Sequence, residues 1–198
     1  MNGPRGNQRP DFAAIAEWIT PGARVLDLGC GDGTLLKYLQ QTRGVSGYGV
    51  EIDDGNVLDC VKNGVHVIQS DLERGLSDFD DGSFDFVVLS QTLQAMRNTE
   101  SIVREMLRVG RTGIVTFPNF GYWKNRLHVL GGRMPVSANL PFEWFNTPNI
   151  HLCTTADFEK FCSERGIRIV ARRLLTGGRA VTSMPNLLGE LAVYQFGA

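Results

Sequence analysis

The sequence predicts an α/β fold, in which helices cover both faces of an open and mostly parallel β-sheet. Between residues 24 and 117, short apolar runs alternate with segments of helical periodicity, and the turns between them are short. The run Phe84–Ser90 is nearly all apolar, which suits a strand that is buried on both faces. Such alternation is typical of a parallel sheet whose crossover connections are helices.

The first two thirds of the chain supply most of these elements. A short amphipathic helix is predicted over Asp11–Ile19, and Pro21-Gly22 ends it. Strands are then predicted at Arg24–Leu28, Gly47–Glu51, Val65–Gln69, Phe84–Ser90 and Gly113–Phe117. The helices between them are predicted at Thr34–Gln41, Gly55–Lys62 and Glu100–Val109.

The last third has a different character. Residues 119–153 contain six of the eighteen aromatic residues and show no clean period, so we expect an irregular cap or insertion within a single domain of residues 1–198. A helix then starts at Thr154 and ends before Gly166. Two β-like runs, Ile167–Leu175 and Glu190–Phe196, follow on either side of a Gly/Ser/Pro-rich stretch.

Composition and charge argue against several functional classes. The 198 residues are 42% hydrophobic and 21% charged, with a net charge of −1, and the basic residues do not cluster. We therefore expect no nucleic-acid face and no membrane span, which would need roughly 20 apolar residues. The polar start MNGPRGNQRPDF favours the cytoplasm over secretion. The four cysteines form no CxxC pair or metal-ligand cluster, so we expect buried thiols and no metal site.

The stretch VLDLGCGDGTLL at residues 25–36 places a glycine turn between a strand and a helix. Ligands of open α/β sheets bind beyond the carboxyl ends of the strands, and glycines let them approach the backbone closely. The spacing is GxGxG rather than the GxGxxG of dinucleotide binders, and Asp27 and Asp32 would repel a pyrophosphate. The turn therefore favours a cationic nucleoside, S-adenosylmethionine or its demethylated product, although Asp32 also suits a helix N-cap.

Two further carboxylates follow the next two predicted strands. Glu51 ends the second strand, where nucleoside-binding folds place an acid against the ribose hydroxyls. Asp71 follows the third strand, where a carboxylate can accept a hydrogen bond from the adenine amino group. Three acids in register with a glycine turn strengthen the prediction of an adenosylmethionine site.

The motifs VLDLGCGDG, GVEID, SDL and FDFVVLS together resemble the class I methyltransferases. The resemblance implies a Rossmann-like sheet of seven strands, the last one antiparallel. By matching position, it also implies that Asp27, Gly29 and Gly31 contact the methionine part of the cofactor, Glu51 the ribose and Asp71 the adenine. Three neighbours of these residues and one more strand end complete the predicted cofactor-binding set: Cys30, Ile52, Leu72 and Ser90.

A second resemblance covers nearly the whole chain. RPDFAAIAEWI, SQTLQAM and FPNFGYWKNRLHVLGGRMPVSANLPFEWFNTPNIHLCT are similar to the MetW family of methionine biosynthesis proteins. This resemblance implies an association with MetX, the homoserine O-acyltransferase of the methionine pathway. It does not supply a methyl acceptor.

Catalytic residues are harder to identify. Alignment of donor and acceptor can suffice for methyl transfer, so a general base is optional. The segments SQTLQ and FPNF, which follow the fourth and fifth strands, contain no acid or histidine. His151, in the irregular stretch TPNIHLCT, is therefore the candidate base, whereas His128, in the helical-looking stretch YWKNRLHVL, better suits a structural role.

The aromatic side chains of residues 119–153 are open to three interpretations. They form a lid that packs on the sheet edge, they line a substrate pocket, or they form a docking face for another protein. Trp123, Arg126 and Arg133 suit either of the last two.

Three functions remain open. In the first, the chain binds adenosylmethionine and acts with, or regulates, MetX; this is chemically sensible because adenosylmethionine is made from the end product of that pathway. In the second, it is an autonomous adenosylmethionine-dependent methyltransferase with a small-molecule acceptor. The third, a binding module that has lost the cofactor, is disfavoured by the intact acids. The sequence leaves the oligomeric state and the direction of any regulation open.

Overall fold

The computed structural model describes residues 9–197. Residues 1–8, which carry most of the stretch on which the prediction about secretion rests, and residue 198 lie outside this range. Within it, the strands are β1 (Arg24–Leu28), β2 (Ser46–Glu51), β3 (Val67–Gln69), β4 (Phe84–Ser90), β5 (Gly110–Pro118), β6 (Arg168–Thr176), β7 (Arg179–Val181) and β8 (Leu191–Gly197). The helices are α1 (Pro10–Trp18), α2 (Thr34–Arg43), α3 (Asp54–Lys62), α4 (Thr99–Val109), α5 (Trp123–Leu130), α6 (Thr155–Glu164) and α7 (Pro185–Leu188).

The eight strands that the described residues form make one sheet, in the order β3-β2-β1-β4-β5-β8-β6-β7. The first five strands are mutually parallel, and β8 inserts antiparallel between β5 and β6. The predicted α/β class and the antiparallel last strand are therefore confirmed. The strand order reverses between β1 and β4, so the ends of these two strands border the crevice in which such sheets bind ligands.

The sheet has eight strands rather than the predicted seven, because a short hairpin extends its edge. Strands β6 and β7 pair antiparallel through a two-residue turn, Gly177-Gly178, whose φ angles are 55° and 77°. Both angles are positive, as a type I′ hairpin turn requires, and glycine adopts them without strain. The extra strand, β7, lies in the Gly/Ser/Pro-rich stretch between the two predicted terminal strands, where the sequence predicted no strand.

Two hydrophobic cores lie on the two faces of the sheet. One face packs against α1 and α2, with Ile15 and Leu36 fully buried, and the other packs against α4 and α6, with Met106 and Phe158 buried. Helices on both faces agree with the prediction and explain why the central strand β4 is apolar along almost its whole length.

The region from 119 to 153 contains one helix, α5, and is otherwise irregular. One backbone hydrogen bond joins its two ends to each other, and two more join its last residues to the segment between β4 and α4. The backbone N–H of Phe120 donates to the oxygen of Cys153 at 2.9 Å, and the N–H groups of Ile150 and His151 donate to the oxygen of Gln94 at 2.8 and 3.0 Å. None of the helices in the described part of the chain combines the length and apolar character that a membrane crossing requires.

Candidate functional site

The turn after β1 has the geometry that its glycines predict. Gly29, Gly31 and Gly33 have φ angles of 63°, 56° and 76°, in the left-handed region that other residues rarely adopt. A Cβ atom on Gly29 would lie 2.8 Å from the side chain of Thr92, so this position also needs the missing side chain for space. The N–H groups of Gly29 and Cys30 donate to the oxygen of Val50 at 2.8 and 3.1 Å, which fixes the turn against β2.

The carboxylate of Glu51 ties this turn to the end of β2. Its Oε2 accepts a hydrogen bond from the N–H of Gly31 at 2.8 Å, and its Oε1 accepts from the N–H groups of Ile52 and Asp53 at 2.8 and 3.0 Å. The side chain is buried at the rim of the sheet. Glu51 therefore shapes the glycine turn in addition to any contact that it makes with a ligand.

Asp32 and Thr34 begin α2. Asp32 Oδ1 accepts a hydrogen bond from the N–H of Thr34 at 3.0 Å, while Gly33 is the residue that precedes the helix in a left-handed conformation. Asp32 thus satisfies a donor at the start of the helix, but the predicted N-cap role is wrong, because Gly33 occupies the N-cap position and Asp32 precedes it.

A cavity of about 460 Å³ opens beside the glycine turn. Its lining residues are Arg9, Phe12, Asp27, Gly29, Cys30, Gly31, Asp32, Thr34, Leu35 and Ser90. We call it the first cavity. It is bordered by the ends of β1 and β4 and by the start of α1, so it lies at the reversal of strand order.

Asp27 is the buried acid of the first cavity. Burial raises the pKa of its carboxyl group from 3.8 to about 7; the Arg9 guanidinium acts in the opposite direction, and the charges of Asp11 and Glu51 add to the rise. None of the side-chain hydrogen bonds formed within residues 9–197 includes the Asp27 carboxyl group. A buried acid of this kind has a strong electrostatic preference for a cationic ligand group.

Arg9, which lines the first cavity, forms a charged pair with Asp11, and neither residue was predicted from the sequence as part of the site. Asp11 is fully buried, and its Oδ2 accepts hydrogen bonds from Arg9 Nη2, Ser90 Oγ and Thr116 Oγ1 at 2.6, 2.9 and 3.0 Å. Arg9 Nε also donates to Asp11 Oδ1 at 3.2 Å, so the pair is bidentate. The available signal was the position of Asp11 four residues before Ile15, which places both on the buried face of α1.

A second cavity of about 270 Å³ lies on the other side of Gly29. It is lined by Gly29, Val50, Glu51, Ile52, Ser70, Asp71, Leu72, Glu73, Thr92, Ala95 and Met96. Asp71 Oδ1 accepts a hydrogen bond from the N–H of Glu73 at 3.0 Å, which fixes the short turn after β3. The lining of the second cavity thus combines acids, among them Glu51 and Asp71, with apolar side chains such as Leu72 and Met96.

The structure brings all nine predicted cofactor-binding residues to these two cavities. Asp27, Gly29, Cys30, Gly31 and Ser90 line the first, and Gly29, Glu51, Ile52, Asp71 and Leu72 line the second. The two cavities meet at Gly29. The described linings hold five carboxylates and one guanidinium, that of Arg9, an arrangement that disfavours a phosphorylated ligand.

The structure does not bring His151 to either cavity. Its side chain is exposed and lines a third cavity of about 230 Å³, with Leu152, Cys153 and Phe161 among its neighbours. His128 is exposed on α5. His151 as a general base therefore stays a prediction without geometric support from this arrangement.

The thiol of Cys30 points toward α3 rather than into a reactive setting. Its Sγ lies 3.7 Å from the Sγ of Cys60, which in turn donates to the oxygen of Gly31 at 3.1 Å. Burial and the charge of Asp27 raise the pKa of the Cys30 thiol, which makes it a poor nucleophile. Within residues 9–197, no group of three or more side chains is arranged to hold a metal ion.

Comparison with known proteins yields a family and one related sequence. The profile of the family "Methionine biosynthesis protein MetW" matches residues 9–196. The bifunctional methionine biosynthesis protein MetXA/MetW of Rhodopirellula baltica is 40% identical over 169 residues, which are 80% of this chain and 27% of that protein. This chain therefore spans about a quarter of the length of the curated relative that it matches.

Solved structures share the fold at low identity. An S-adenosylmethionine-dependent methyltransferase from Mesorhizobium loti superposes with a TM-score of 0.71 at 16% identity, over 96% of this chain and 98% of that one. A methyltransferase of the same cofactor class from Archaeoglobus fulgidus has a TM-score of 0.71 at 15% identity, over 94% and 91% of the two chains. These likenesses establish the methyltransferase fold.

Proposed function

The chain belongs to the MetW family of methionine biosynthesis proteins, and on that premise we propose that it binds S-adenosylmethionine or its demethylated product and acts with the homoserine O-acyltransferase MetX. The observation that carries the proposal is the pair of cavities that meet at Gly29, lined by carboxylates and by the backbone of a glycine turn. A ligand with a nucleoside end and a cationic amino-acid end matches this arrangement.

Each end of the ligand has a partner of fitting chemistry. In the second cavity, Glu51 would hold the ribose hydroxyls and Asp71 the adenine amino group, with Leu72 against the ring. In the first cavity, Asp27 would face the ammonium and Arg9 the carboxylate of the methionine part. The positive sulfur of adenosylmethionine supplies an electrophilic methyl group when it is bound.

The proposed partner is supported by the relative from Rhodopirellula baltica. Its name assigns a MetXA and a MetW function to one protein, and this chain matches about a quarter of it. Two activities in one polypeptide are held close together at all times. A MetW-type chain made separately from MetX would need an interface to keep that proximity.

Two measurements test the proposal. Titration calorimetry should detect binding of S-adenosylhomocysteine, whereas NAD⁺ and ATP should give no heat of binding. Purified MetX should co-elute with the chain or change its acyltransfer rate when the chain is added. Absence of nucleoside binding would refute the cofactor assignment, and MetX behaviour identical with and without the chain would refute the partnership.

A second candidate function is an autonomous methyltransferase with a small-molecule acceptor. The volume of the first cavity favours this function. The first cavity would receive the methionine part of the cofactor, which is smaller than the adenosine part, yet its volume of about 460 Å³ exceeds the 270 Å³ of the second cavity. The additional space is suited to an acceptor next to the methyl group. The test is transfer of a labelled methyl group to the metabolites of a cell extract, and failure to label any of them would count against this function.

A further inference from the structure

Helix α5 exposes its apolar side chains to solvent. Asn125 is the buried residue of this helix, and its Nδ2 donates to the backbone oxygen of Asn119 at 3.2 Å. Trp123, Leu127 and Leu130, at positions i, i+4 and i+7, form an exposed stripe. A surface helix normally turns such a stripe toward the core, and an eight-residue helix has little stability of its own. Another molecule is therefore expected to cover the stripe.

A second group of exposed apolar side chains follows α5 in the chain. Its members are Met134, Val136, Phe142, Trp144, Phe145, Ile150 and Leu152. Trp144 and Phe145 are 74% and 70% exposed and contact each other edge to face, with ring centroids 5.8 Å apart. Together with the α5 stripe, these residues are the apolar face.

The apolar face has the size of a protein interface. It holds ten of the nineteen large apolar side chains that the described residues leave exposed. Their exposed fractions lie between 39% and 82%, and at about 200 Å² for a fully exposed large side chain the ten together expose roughly 1,000 Å². A stable complex covers about 800 Å² on each partner, and monomers rarely expose more than a few hundred Å² of contiguous apolar surface.

The basic side chains beside the apolar face have no acidic partner within the described residues. Lys124, Arg126 and Arg133 take part in none of the ion pairs formed within residues 9–197. Lys124 lies against the ring of Trp123, with its Nζ 5.7 Å from the ring centroid. A partner that complements this face therefore presents an apolar patch bordered by acidic groups.

We propose that the apolar face is the surface by which this chain docks onto MetX, an assignment that rests on the function proposed above. None of its ten residues lines the first or the second cavity, so the apolar face and the two cavities are formed by different residues. Trp144 is the expected centre of the interface, because tryptophans dominate the binding energy of interfaces in which they are buried.

Three variants test the assignment. Trp144→Ala and Leu130→Ala remove exposed side chains of the apolar face, and Leu58→Ala, on α3, is the matched control because it removes a leucine that is 59% exposed elsewhere. The dissociation constant of each purified full-length variant with MetX from the same genome is measured by calorimetry, at low and at high salt. Circular dichroism and binding of S-adenosylhomocysteine establish that each variant is folded.

We expect Trp144→Ala to weaken MetX binding at least tenfold, Leu130→Ala severalfold and Leu58→Ala by less than twofold, with weaker binding at high salt. If the unchanged chain binds MetX and both face variants bind equally well, the apolar face is not the docking surface, although the proposed partnership stands. If the unchanged chain does not bind MetX at all, the partnership itself fails. A self-associating chain whose dimer is lost in the face variants, with MetX binding unaffected, would assign the face to a second copy and overturn the proposal.

Discussion

The buried acid of the first cavity makes a strong prediction about pH. Burial raises the pKa of Asp27 from 3.8 to about 7, so the folded chain keeps this proton at pH values at which the unfolded chain has lost it. The free energy of unfolding then falls as the pH rises through this window, because the folded state must give up a proton that it binds more tightly. Replacing Asp27 with asparagine removes the group and leaves a side chain of similar size.

The magnitude follows from the two pKa values. A difference of 3.8 to about 7, at about 1.4 kcal/mol per pH unit, gives a penalty of about 4 kcal/mol once the pH is well above 7. Between pH 5 and pH 8, the stability of the natural chain should fall by roughly 2–3 kcal/mol relative to that of Asp27→Asn. Such a change is a large fraction of the 5–15 kcal/mol that stabilises a typical domain.

Two assays measure the effect. Urea unfolding of both proteins at several pH values gives the difference in stability directly, and the other titrating groups, which the two chains share, largely cancel. Calorimetry with S-adenosylhomocysteine at pH 6.5, in buffers of different ionisation enthalpy, measures how many protons are released when the ligand binds. Because the ligand ammonium favours the charged acid, binding to the natural chain should release most of one proton, and its affinity should rise with pH up to about 7.

If the stability curves of the natural chain and Asp27→Asn run parallel between pH 5 and pH 8, Asp27 does not titrate in this range. If the curves diverge but both proteins release the same number of protons on binding, the acid is buried as described but does not face the ligand's cation.

The remaining predictions concern the glycine turn and its neighbours. Gly29→Ala should lower the free energy of unfolding by about 1–3 kcal/mol, because Gly29 has a φ of 63° and an added Cβ would contact Thr92. Gly31→Ala should lower it less in the same urea titration, because a Cβ on Gly31 would meet open space. Glu51→Gln should weaken S-adenosylhomocysteine binding about 10–100-fold in calorimetry with the circular dichroism spectrum unchanged, and an unaltered dissociation constant would contradict the ribose assignment. Arg9→Gln should weaken the same binding about tenfold but leave 5′-methylthioadenosine, which lacks the amino-acid end, unaffected; equal losses for both ligands would place Arg9 away from the carboxylate.

Most of the fold was predictable because each element carries its own local signal. Strand β4 was predicted from its apolar sequence, because burial on both faces of the sheet excludes most polar residues. The acids Glu51 and Asp71 were predictable as site residues because parallel strands end at the same edge, so position along the chain translates into position in space. The Gly177-Gly178 turn also gave a hairpin signal, although the three-residue strand after it is too short to show a period.

Other features depend on contacts between distant segments. The role of Asp11 requires Ser90 and Thr116, which lie 79 and 105 residues away, so a local pattern can place this acid on the buried face of α1 but cannot reveal its hydrogen-bond partners. The stretch YWKNRLHVL indicates the helical character of α5, but its orientation was not predictable, because its apolar residues face outward and its polar Asn125 faces inward. Periodicity identifies a helix by assuming that the apolar side is the inner one.

The segment between β4 and α4 contacts both the second cavity and the end of the apolar face. Thr92 packs beside Gly29 at the rim of the second cavity, and two residues later the oxygen of Gln94 anchors Ile150 and His151, at the end of the apolar face. Gln91, which begins this turn, has a φ of 53°, a left-handed conformation that strains the backbone of a residue other than glycine. If a nucleoside shifts Thr92, the same movement reaches the surface that we assign to MetX, and thermodynamic reciprocity then requires MetX to alter nucleoside affinity by the same factor. An eight-residue connection would then let an early enzyme of a biosynthetic route respond to the cell's stock of methyl donor.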